Sequence, residues 1–311
     1  MFEGIAQDRT SGASRLTRLA ARELSEAVGS FEGADPGTLW DGIVSVCSEL
    51  LKAQREMAPI VNLVGSVIAA AENVILSGKS PETAVRAVQL ECSRVSDFGE
   101  DRLRELGRAG APLIAPGTVV ATTSDGESVS AILEEAAGAG TEFHVLLSES
   151  RPGLEGLSLA RRLADLGVPS TLVADAALPG RLAGAGLVLL GADSLSDDSF
   201  VNKIGSYAVA LAARECGVPC YVAALEDKLL PTALRGDPAR GRDPSELMAD
   251  APSGVAVDNR YFEVVPLELC RGVVTESGVA GIEDVPGMLR EHPVPPFLLQ
   301  LLFAPSPPRD A

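Results

Sequence analysis

Between Thr118 and Leu225 the chain carries five short apolar runs, TVVATT, EFHVLLSES, PSTLVAD, GLVLLGAD and PCYVAAL, each separated from the next by helical spacing. The intervening segments predict helices over 128–138, 155–166 and 203–216, with a short one between the third and fourth runs. Runs that are apolar throughout, instead of alternating, belong to strands covered on both faces. Strands joined by amphipathic helices are parallel neighbours in one sheet. The expected class is α/β.

Upstream, from Ser14 to about Gly110, apolar residues recur at three and four positions, as in LTRLAARELSEAV and APIVNLVGSVIAAAENVIL. That period is helical. Thr38 and Ser80 are the expected N-caps, Ser80 being followed by Pro81 and Glu82 in the first turn. The chain therefore divides into a helical N-terminal domain over 1–112 and a sheet domain over 113–292. A Pro-rich tail over 293–311 should be partly extended. Residues 231–256, rich in Pro, Gly, Arg and Asp, predict an exposed loop. No run is read as reaching the roughly 18 to 20 apolar residues that cross a bilayer. The N-terminus, with Arg9, Arg15, Arg18 and Arg22 spread through it, lacks the apolar core of a signal peptide. A cytoplasmic protein without a membrane partner is expected.

Charge narrows the function. With 43 acidic and 26 basic residues the net charge is −17, and the mean field repels phosphate backbones. Direct nucleic-acid binding is thereby disfavoured, although a few clustered Arg and Lys residues can still hold one small phosphate. Cys47, Cys92, Cys216, Cys220 and Cys270 form neither an even set nor a C-x-x-C pair, which suits buried reduced thiols. Cys216 and Cys220 have no His nearby to complete a metal site, so neither metal nor cofactor is expected. His144 and His292 are the only histidines, and no G-x-x-x-x-G-K-[ST] loop is present. Polar residues instead collect where the strands end: Thr122 to Glu127, Glu149 to Pro152, Asp175, Asp193, and Glu226 to Lys228. In parallel sheets ligands bind at that edge.

Two segments, ESRPGLEGLSLARRLADLGVPSTLVADAAL and LLGADSLSDDSFVNKIGSYAVALAARECGVPCYVAAL, resemble the core of a known superfamily. It unites the α, β and δ-like subunits of translation initiation factor 2B with the aldose-phosphate isomerases for ribose 1,5-bisphosphate and methylthioribose 1-phosphate. The resemblance runs from about Arg9 to Gly278. It implies a Rossmann-like second domain and a homodimer or higher homo-oligomer formed through it, with the strand after Gly186 and VVPLELCRGVV at the interface. It also implies a phosphorylated sugar or nucleotide as ligand, and admits a protein partner. In the isomerases a cysteine and an aspartate move a proton between the first two sugar carbons.

That aspartate falls on Asp193. The N-K pair falls on Asn202 and Lys203, with Lys203 expected near the N-terminus of the next helix, facing an anion. Arg151 of E-S-R-P and Lys228 complete the matched cations. Two departures stand out. Ser124 occupies the cysteine position, and a hydroxyl ionises far above pH 7; neighbouring Asp125 is the substitute proton carrier. The phosphate-holding Arg-Gly-Ala element keeps Gly12 and Ala13 but has Ser11 for its Arg, leaving Arg9 or Arg55 to supply the charge. Two readings stay open: a binding protein of the initiation-factor type, or an isomerase using Asp193 with Asp125 or Ser124.

Overall fold

In a computed structural model of the chain the described residues are 1–7, 12–31, 33–238 and 241–303. They form two compact units, Met1–Gly99 with the segment from Arg290, and Glu100–Leu289. The first unit holds α1 (Glu3–Gln7), α2 (Ala13–Gly29), α3 (Pro36–Gln54), α4 (Ala58–Leu76) and α5 (Pro81–Ser96). Asp35, rather than Thr38, caps α3, accepting hydrogen bonds from the Gly37 and Thr38 amides. A carboxylate suits that position because it also faces the positive end of the helix dipole. Ser80 is the N-cap residue of α5, but its hydroxyl pairs with the Thr83 hydroxyl at 3.2 Å and caps no amide.

The second unit begins with α6 (Gly99–Gly110), which the sequence assigns to the helical domain. Then follow β1 (Val119–Thr122), α7 (Glu127–Gly138), β2 (His144–Ser148), α8 (Glu155–Asp165), β3 (Ser170–Val173) and β4 (Leu187–Gly191). Next come β5 (Ser194–Leu195), β6 (Ser199–Lys203), α9 (Ser206–Glu215), β7 (Cys220–Ala223), β8 (Phe262–Pro266), β9 (Gly272–Thr275), β10 (Gly278–Gly281) and α10 (Val285–Glu291). The main sheet has the order β10-β9-β7-β4-β1-β2-β3, parallel except at β10.

Alternate residues of the inner strands β1, β2, β4, β7 and β9 enter different cores. Ala121, Leu146, Val188, Leu190, Val222 and Val273 pack with α9 and α10 residues such as Ala210 and Leu289. Val120, Val145, Leu147, Leu189 and Val274 pack with Leu106 of α6, Ile132 of α7 and Leu159 of α8. This two-sided burial accounts for the continuous apolar runs. A separate antiparallel sheet, β5-β6-β8, adjoins the end of β4 in sequence and carries Asn202 and Lys203.

Two further expectations change. The segment after residue 293 is helical over α11 (Pro296–Phe303), with Leu298 against Gly65 of α4 and Phe297 edge-on to Trp40 at 4.9 Å. Apolar side chains spaced for a helix outweigh the flanking prolines, and Pro296 itself is tolerated at the first position. Second, α4 is long and apolar enough to cross a membrane by length and composition, contrary to the sequence estimate. Half of its most apolar window is buried within the protein, where it packs against α2, α3 and α5. β4 lies inside the main sheet, while Val264, Glu268 and Arg271 of the segment Val264–Val274 are exposed and its other residues are mostly buried.

Candidate functional site

Five parallel strands, β1, β2, β3, β4 and β7, deliver their following residues to one edge of the sheet. After β1 and β2 the hydroxyls bond to one another. Thr123 Oγ1 lies 2.8 Å from Ser148 Oγ and 3.2 Å from Ser150 Oγ, and the Ser124 amide donates to Ser150 Oγ at 2.7 Å. Ser124 and Ser150 both take left-handed backbone conformations, with φ of 66° and 64°. Such conformations cost about 1–3 kcal/mol each and gather at functional sites. Asp175, after β3, accepts from the Ser150 and Arg151 amides at 2.7 Å each. It fills a pair of amides that could otherwise hold an anion. The Arg151 side chain is exposed, with no hydrogen bond or ion pair among the described residues.

Asp125 is tied by an ion pair to Arg162 at 2.9 Å and accepts from Ser130 Oγ at 3.3 Å. Burial pushes its pKa up, while Arg162 and then Ser130 pull it back. Asp193, in the turn between β4 and β5, is placed by its amide bond to the Val201 carbonyl at 2.8 Å. The residue keeps part of its surface in solvent, yet enough atoms crowd its carboxyl that burial raises the pKa. Lys228 and Lys203 oppose that rise, and Glu155 adds to it. Asp193, Lys203, Lys228 and Glu155 thus form one electrostatic cluster.

Lys203 closes β6 and does not open a helix; α9 begins only at Ser206, after Gly205 with φ of 98°. Its side chain is 4% exposed, with Nζ 2.5 Å from Glu155 Oε1. The ring centroids of Tyr261 and Phe262 lie 4.8 Å and 5.6 Å from the ammonium. Asn202 donates to Ser206 Oγ at 2.8 Å and braces the turn into α9. Lys228 lies in the 3-10 turn Glu226–Lys228 and is 7% exposed. Its ammonium has no hydrogen bond or ion pair among the described residues. Arg102 of α6 holds that turn through Asp227 at 3.2 Å and through Glu276, whose Oε2 accepts from the Glu226 amide at 3.0 Å.

Gly12 and Ala13, at the start of α2, and Arg55, at the end of α3, belong to the first unit. There Arg55 lies over the Phe303 ring at 5.7 Å. Arg9 falls outside the described residues.

The profile of the "Initiation factor 2 subunit family" matches residues 9–281. The chain belongs to that family. A putative translation initiation factor eIF-2B subunit 2-like protein of Pyrococcus horikoshii is 32% identical over 88% of the chain and 93% of the relative. A ribose 1,5-bisphosphate isomerase of Haloterrigena turkmenica is 35% identical over 70% of the chain and 72% of the relative. Among solved structures, the translation initiation factor eIF-2B of P. horikoshii superposes with a TM-score of 0.75 at 29% identity, covering 90% of this chain and 94% of that one.

In this initiation factor 2 family member, the sequence brings out Asp175, Asp193, Lys203 and Lys228 but misses Glu155, Arg162 and Tyr261. Glu155 had a local signal, a carboxylate between glycines at the start of an amphipathic helix. Its partner Lys203 is 48 residues away and gave none.

Proposed function

We propose that the chain binds a phosphorylated sugar or a nucleotide at the carboxyl edge of its sheet, as a binding protein of the initiation-factor type. The observation that carries this reading is Lys228: a mostly buried side chain whose ammonium makes no hydrogen bond or ion pair among the described residues and whose charge acts on the Asp193 carboxyl. A buried charge is ordinarily paired, and a phosphate oxygen is the natural complement. The Haloterrigena relative, by its name, acts on a sugar bisphosphate, which supports the ligand class. Ser124 in place of a thiol argues against efficient proton transfer.

A second reading, an aldose 1-phosphate to ketose phosphate isomerase, is favoured by one feature. Burial favours the protonated form of Asp193, as a general acid requires. A thermal-shift screen of phosphorylated pentoses and nucleotides tests the first reading, because a ligand at 100 times its Kd adds about 2.7 kcal/mol. Lys228→Met should erase the shift. Turnover of ribose 1,5-bisphosphate by the unmodified chain at ordinary enzymatic rates would establish the second reading. A wild type without turnover that gains some as Ser124→Cys would support the first.

The same proposal includes a homodimer in the cytoplasm, with room for a protein partner. Ile204, Tyr207 and Leu211 are exposed and lie along one face of α9 and the turn before it, and exposed Val264 is on adjoining β8. These residues, with Val264 belonging to one of the two segments named from the sequence, suit a two-fold contact.

A further inference from the structure

Lys203 and Lys228 differ in one respect: Lys228 makes no hydrogen bond or ion pair among the described residues, while Lys203 already holds a carboxylate. The loop before α8 is shaped to deliver that carboxylate. Gly156 lies so close to the end of β2 that a Cβ there would stand 1.8 Å from the Ser148 carbonyl oxygen. A Cβ on Gly153 would stand 2.5 Å from Glu155 Oε1. Leu154 between them takes a left-handed conformation with φ of 58°. The turn is thus narrow at Gly156, and the Glu155 carboxylate lies against both Gly153 and the Lys203 ammonium. Tyr261 and Phe262 flank the ammonium, and Glu155 Oε1 accepts a hydrogen bond from it. Its other oxygen, Oε2, is buried with no hydrogen-bond donor among the described residues. A carboxylate satisfied on one side only is a poor final partner for a buried ammonium.

We propose that Glu155 is a built-in competitor for ligand phosphate: seated on the Lys203 ammonium, it must be displaced before an anion held by Lys228 can engage the second cation. This deepens the proposed function and rests on it, since it concerns what the same site selects. With Asp193 ionised, the two carboxylates and two ammoniums cancel, so the site admits an anion held by one cation and resists a second negative group. Glu155 thereby sets selectivity by charge. It favours a ligand with one phosphate at this edge and holds back ligands whose second anionic group would need Lys203. Its position is consistent with the charge it exerts on Asp193, whose proton affinity it raises.

The test is titration calorimetry of the full chain with ribose 5-phosphate and with ribose 1,5-bisphosphate. Glu155→Gln should bind the bisphosphate at least about tenfold more tightly than wild type, because a like charge beside a ligand anion costs several kcal/mol. The gain for the monophosphate should be smaller. Glu155→Gln/Lys203→Met should lose the gain. Should Glu155→Gln fail to fold because Lys203 is left unpaired, Glu155→Asp replaces it. That variant keeps the charge but shortens its reach, and a tighter bisphosphate Kd is again expected. Equal or weaker binding by the folded variant overturns the competition while leaving the binding function intact. If neither wild type nor variants bind either sugar phosphate, the proposed function fails and the competition with it.

Discussion

A carboxyl group that is crowded but flanked by two ammoniums, as at Asp193, is held between opposing effects, and burial wins. Its folded pKa therefore lies above the ordinary 3.8. The folded state then binds the proton more tightly than the unfolded chain does. Its stabilising contribution is complete below about pH 3.8 and is lost as pH rises through the folded value. Asp193→Asn should accordingly gain thermal stability relative to wild type at neutral pH, with the difference shrinking as the solution is acidified towards that value. Calorimetric Tm against pH checks this, and a constant difference would rule it out. If the isomerase reading holds, the same variant loses about 10² to 10⁴ in rate. Asp193 and Lys228 were legible because each follows an apolar run, where polar residues at a sheet edge have few structural reasons to be; Lys203 was legible only through the resemblance of its N-K pair. Glu155 was not, because pairing across 48 residues leaves no mark on local pattern.

Element placement shows the same divide. The five parallel strands could be read directly, since each is apolar on both faces and bounded by helical spacing. The β5-β6-β8 sheet could not: β5 has two residues, β6 reads as the polar SFVNK, and β8 is far along the chain. Lys203 was for that reason expected at a helix start and is found at a strand end. The start of α8 depends on glycine at 156, where an alanine would place its Cβ 1.8 Å from a backbone oxygen. Gly156→Ala should destabilise the protein by about 3 kcal/mol, the scale of overpacking against atoms that cannot yield. Urea unfolding would measure the loss. Because α8 also carries Glu155, the variant should disturb sugar-phosphate affinity as well.

At the scale of the molecule, the apolar stripe of Ile204, Tyr207, Leu211 and Val264 is the surface feature that composition concealed. A net charge of −17 suggests a solvated exterior everywhere, but charge summed over the chain says nothing of where it is missing. Tyr207→Glu should convert a dimer to a monomer at micromolar concentration, read by light scattering after gel filtration, with thermal stability of the protomer little changed. A monomeric wild type would remove the basis for the experiment and for the two-fold contact. The first unit has a different dependence, on the order in which residues are made. It is assembled from segments at both ends of the described chain, with α11 packed on α4, whereas the second unit is continuous in sequence. During synthesis the second unit has all of its residues in hand before the first receives its last helix. The apolar surface of α4 around Gly65 then waits uncovered, with Trp40 missing its Phe297 contact, until residues 296–303 have been made.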